Sequence, residues 1–94
     1  MIQLSLEQKS LVLRTAQRFG ADSVKVFGSR ARGDARGNSD LDLLVRFKES
    51  VSLLKVIALK QALEEELRLS VDIVEEEAIP QRMLEAIRSE ATPI

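Results

Sequence analysis

The 94-residue sequence contains no cysteine and no histidine. The first absence removes disulfides, thiolate chemistry and zinc-thiolate sites. The second removes imidazole ligands and the side chain that titrates nearest neutrality. Any proton acceptor in a reaction must then be a carboxylate, a lysine or the substrate itself. Tryptophan and tyrosine are missing too, so beyond three phenylalanines the core must be built from Leu, Val and Ile. Neither sign of charge is in excess. With 14 basic and 15 acidic residues the net charge is −1, which argues against a general electrostatic grip on nucleic acid. No apolar run approaches the ~18 residues of a membrane span, and no charged-then-apolar leader opens the chain, so a soluble cytoplasmic protein without membrane association is expected.

What is present suits a small globule. The sequence is 45% hydrophobic and 31% charged, and its length suits one domain over residues 1–94. Ser5 and Gln8 form an S-x-x-Q capping box, Val12, Ala16 and Phe19 recur as one stripe, and Gly20 stands where a left-handed cap is wanted. This predicts a helix over 6–19. Residues 23–27 (SVKVF) read as a strand stopped by Gly28. Residues 28–39 hold three glycines and three arginines, and predict a turn, a short helical piece and a loop.

Residues 40–47 (DLDLLVRF) read as a second strand. Over 52–69 the pattern becomes helical, with Leu53, Ile57, Leu63 and Leu67 facing one way with Val56, and Glu64, Glu65, Glu66 and Arg68 facing water. A third strand is expected over 70–74. A last helix follows with Pro80 in its first turn and Met83, Leu84 and Ile87 on its apolar face. Glu75, Glu76 and Glu77 read as a solvated run. The second strand, helix and third strand form a β-α-β unit, hence parallel and right-handed, while the first two strands are close enough to pair antiparallel. The expected fold class is α/β (α+β), a small mixed sheet with flanking helices.

Side chains alternate along a strand, so Asp40 and Asp42 project to one side of it and Leu41 to the other. If the third strand runs parallel beside the second, Asp72 joins them on the same edge. Three hard oxygen donors without histidine form the ligand set that Mg²⁺ prefers. Two such ions, ~4 Å apart, can flank an in-line displacement at phosphorus. Gly28 and Ser29 supply the complementary half: a glycine lets backbone approach a ligand closely, and the serine adds a hydroxyl. Arg30, Arg32 and Arg36 lie near as phosphate partners. Four fixed residue types match by chance about once in 10⁵ starting positions.

The segment GSRARGDARGNSDLDLLV resembles the signature of the DNA polymerase β-like nucleotidyltransferase superfamily: Gly-Ser, ten residues, then Asp-x-Asp on a strand. The short chain and the Ala-Arg-Gly and Ser-Asp-x-Asp-Leu details resemble the minimal nucleotidyltransferases of bacteria and archaea. The resemblance implies an enzyme of the polymerase β-like nucleotidyltransferase fold. Asp40 and Asp42 would bind two Mg²⁺ ions. Asp72 would complete a metal site or help deprotonate the acceptor. Gly28 and Ser29, with Arg30 or Arg32, would hold the phosphates of ATP. It further implies an antitoxin that transfers AMP to a tyrosine hydroxyl of a HEPN-type ribonuclease toxin, in a prokaryotic cytoplasm. A non-catalytic antitoxin or nucleotide-sensing binding module that neutralises its partner by complex formation alone is the alternative, and a transferase for small molecules or RNA is a third reading.

Overall fold

In the computed structural model, which describes residues 2–37 and 39–94, the chain alternates helices and strands. Met1 and Asn38, which fall within the expected domain and loop, lie outside the described residues. The first helix, α1 (Leu6–Arg18), begins with the capping box that the sequence announces. Gln8 N–H donates to the Ser5 hydroxyl at 3.1 Å, and Ser5 N–H donates to the Gln8 amide oxygen at 2.9 Å. Then follow β1 (Ala21–Phe27), α2 (Ser29–Arg32), β2 (Leu41–Phe47), α3 (Leu53–Leu67), β3 (Val71–Glu75), α4 (Gln81–Arg88) and β4 (Thr92–Pro93).

The four strands form one mixed sheet in the order β3-β2-β1-β4. β1 and β2 pair antiparallel, and β2 and β3 pair parallel with Leu41 opposite Val71 and Asp42 opposite Asp72. Both pairings follow from the connections: a 13-residue link closes a hairpin-like pair, and a helix must carry the chain back between parallel strands. β4 has no counterpart in the sequence reading. Two residues carry too little pattern to be seen, and they add an edge to β1 at Lys25 and Val26.

Alternation divides β2 into two faces. Leu41, Leu43, Val45 and Phe47 enter the core with Val12 and Ala16 of α1 and Val56, Leu59, Leu63 and Leu67 of α3. Asp42, Leu44 and Arg46 therefore face the other way. Leu44 is buried nonetheless, as is Leu84 of α4, and both lie outside the main cluster.

Three sequence expectations need correcting. Leu53 and Ile57 do not share the core face of α3; they are 73% and 40% exposed, and Leu59 takes the buried place instead. Counting back from Leu63 in steps of four and three reaches Leu59 and Val56, whereas 57 to 63 is a six-residue step that turns the helix away from its own stripe. Met83 is 53% exposed, so the apolar face of α4 narrows to Leu84 and half-buried Ile87. Nor are all the acidic runs merely solvated. Glu64 accepts the Val71 N–H at 2.9 Å, Glu66 accepts the Thr15 hydroxyl at 2.8 Å, and Glu76 pairs with Arg88. Among the described residues no helix is long and apolar enough to cross a membrane.

Candidate active site

β1 ends at Phe27, opposite Asp42 on β2, and the chain must turn away at once. Gly28 makes that turn with φ 74° and ψ −157°, a combination essentially closed to residues with a side chain. A Cβ at this position would also collide with the Asp42 carboxylate. Gly28 thus serves two needs, a backbone angle and a passage past an acid. Its carbonyl accepts the N–H groups of Ala31 and Arg32, both at 3.1 Å, and these bonds wind the single turn of α2 that Ser29 begins.

Asp42 lies in the second row of β2 with Asp72 directly across the parallel ladder. Asp40 precedes the strand by one residue, so the pleat does not fix its direction as the sequence reading assumed, although its charge is felt at Asp42. Burial raises the Asp42 carboxyl above the ordinary carboxylate range, and the charges of Asp72 and Asp40, a hydrogen bond with Asp72 and the charge of Glu90 push it further the same way. Asp40 and Asp72 are exposed and Asp42 is half-buried, so the acids open onto solvent. Among the described residues no three acidic side chains already enclose a point that could hold an ion. The donor chemistry nevertheless suits one: three carboxylates, no competing soft ligand, and one of them already strained by its neighbours.

The arginines separate clearly. Arg30 is 7% exposed and commits its guanidinium to backbone: Nε and Nη2 donate to the Ser39 carbonyl at 3.2 and 3.0 Å, and Nη1 donates to the Gln3 carbonyl at 3.1 Å. It fastens the loop rather than facing a ligand. Gln3 assists through a paired exchange with Ala35, accepting at 2.6 Å and donating at 3.0 Å. Arg36 is exposed. Arg32 lies at the turn and pairs with Glu90 at 3.0 Å and Asp34 at 3.3 Å. The Glu90 hydrogen bond is the main reason its protonated form is favoured further.

Sequence reasoning missed Glu90. Its second oxygen accepts the Gly28 N–H at 2.9 Å, across 62 residues of chain. No local pattern marks it, because a single Glu after a helix is unremarkable until the fold brings it to the turn. Gln3 was missed for the same reason.

A glycine turn with a cation beside it, set against carboxylates on adjacent strands of a small mixed sheet, is an arrangement whose chemistry suits a phosphate chain and a hard metal ion. Residues 9–94 match the nucleotidyltransferase domain family, and the chain belongs to that family. It is 44% identical over 79 residues to the protein adenylyltransferase MntA of Thermococcus cleftensis, covering 79% of this chain and 80% of that one. A solved structure provisionally named a minimal nucleotidyltransferase superposes with a TM-score of 0.84 at 46% identity, over 98% of both chains. A toxin–antitoxin structure with AMP-PNP shares the fold, with a TM-score of 0.83 at 18% identity over 90% of this chain and 70% of that chain.

Proposed function

We propose that this chain is a Mg²⁺-dependent protein adenylyltransferase, the antitoxin of a toxin–antitoxin pair, working in a prokaryotic cytoplasm as one domain over residues 1–94. The observation that carries the reading is the placement of the Asp42 carboxylate against Gly28, with Asp72 in register beside it. Phosphate donors and metal-binding acids then share one edge. The named activity of the Thermococcus cleftensis relative supports the adenylyl group as the one transferred.

In the reaction, a hydroxyl oxygen of the acceptor attacks the α-phosphorus of ATP. The bond from that phosphorus to the bridging oxygen breaks, and pyrophosphate leaves with the electron pair. Asp42, Asp72 and Asp40 would hold Mg²⁺, which neutralises charge on the phosphates and acidifies the hydroxyl. The Gly28 N–H, the Ser29 hydroxyl and Arg32 hold the outer phosphates, while Gln3 and Arg30 keep the loop between them in place. The chain's own contribution is positioning. Asp72, the more exposed member of the facing pair, would complete the metal site or help take the hydroxyl proton.

The acceptor is a tyrosine hydroxyl on a HEPN-type toxin. This chain has no tyrosine of its own. One solved neighbour, at 15% identity and a TM-score of 0.75, is a tri-AMPylated HEPN toxin of Shewanella oneidensis in complex with its antitoxin. The test is intact mass spectrometry of the product of the neighbouring gene after co-expression with this chain. Adenylyl mass with the wild type and none with Asp42→Asn is the expected result. Unmodified partner with the wild type, or equal modification with Asp42→Asn, defeats the proposal.

A further inference from the structure

Glu90 stands between the end of α4 at Arg88 and the two-residue strand β4 that begins at Thr92. One oxygen accepts the Gly28 N–H at 2.9 Å and the other pairs with Arg32 Nη1 at 3.0 Å. These are the backbone donor and the cation that an incoming phosphate oxygen would use. An N–H carries one hydrogen, so carboxylate and phosphate cannot both take it at full strength.

The Glu90 charge is also felt at Asp42. Gly28 and Arg32 are what hold it there. The segment that carries it is short: β4 pairs with β1 at Lys25 and Val26, half-buried Ile94 packs against the core, and none of residues 89–94 is fully buried. A short, shallow strap of this kind opens at small cost.

We propose that Glu90 is an internal stand-in for a nucleotide phosphate. It occupies the Gly28 N–H and Arg32 in the free protein and is displaced when a triphosphate enters, so the segment after α4 gates the site. The proposal rests on the reading of Gly28 and Arg32 as phosphate donors. The gate keeps the anion site filled when no nucleotide is bound. It also sets affinity by competition, since a triphosphate must overcome a carboxylate tethered next to its own donors. Whatever presses β4 onto β1 closes the site, and whatever lifts it opens the site.

Calorimetric titration of Mg·ATP into the wild type, Glu90→Gln and Glu90→Ala tests this. Glutamine keeps the side-chain shape and an acceptor while removing the charge; alanine removes both. Both variants are expected to bind Mg·ATP about 1.5- to 5-fold more tightly than the wild type, the range set by one partly solvated ionic contact. Tighter binding must appear even if Glu90→Ala melts at a lower temperature, an outcome that a merely structural Glu90 would not produce. The Gly28 amide resonance should shift with Glu90→Gln before any nucleotide is added. Equal or weaker binding by both variants, with the wild type still binding, overturns the gate alone. No binding by any of the three overturns the gate and the phosphate-donor reading together.

Discussion

At the scale of single residues, Asp42 is the point of strain and Gly28 is what makes that strain tolerable. The Asp42 carboxyl is raised by burial first and then by its acidic neighbours, so folding favours its neutral form. A raised acid contributes stability at low pH, and that contribution is lost as pH climbs from the ordinary carboxylate value through the folded one. Asp42→Asn should therefore melt higher than the wild type at pH 7 without divalent ions. Solvent screening at this half-exposed site limits the gain to roughly 2–4 °C, about half a kcal/mol. The difference should close as pH falls through the raised value, as melts over a pH series would read. Gly28→Ala should do the opposite. Its φ of 74° and the collision with Asp42 predict a loss of about 1–3 kcal/mol in denaturant titration, together with lost transfer.

The elements show which parts of a pattern can be trusted. The capping box of α1 was legible because it is a local exchange between residues three apart. The stripe of α3 was legible only in part, because its leucines outnumber the places on one face. Leu59→Ala should cost about 2–5 kcal/mol, whereas Leu53→Ala and Leu54→Ala should stay within about 0.5 kcal/mol in the same titration. The end of α3 was legible to within two residues, but its cap was not. Arg68 caps it in the left-handed region at φ 58°, where glycine is the usual occupant. Arg68→Gly should raise stability by roughly 0.5–1 kcal/mol, read as a higher melting temperature.

At the scale of the whole molecule, the candidate site draws on β1, β2, β3 and the segment after α4, so a ligand bound there would stabilise the fold as a whole. Mg·ATP at 100 times its dissociation constant should add about 2.7 kcal/mol to the wild type, and thermal shift should show that gain largely absent in Asp42→Asn. By itself the sequence determined the element order as far as α4, the antiparallel and parallel pairings, and the candidates Gly28, Ser29, Asp40, Asp42 and Asp72. These rest on local spacing and on connection lengths, which a linear chain displays in full. Only the tertiary structure decided how the arginines divide, since burial and two distant carbonyls commit Arg30 to the loop while Arg32 stays at the turn. It alone brought Gln3 to the loop and Glu90 to the Gly28 N–H. Contacts across 32 and 62 residues leave no periodicity behind them, so they exist only once the sheet has closed.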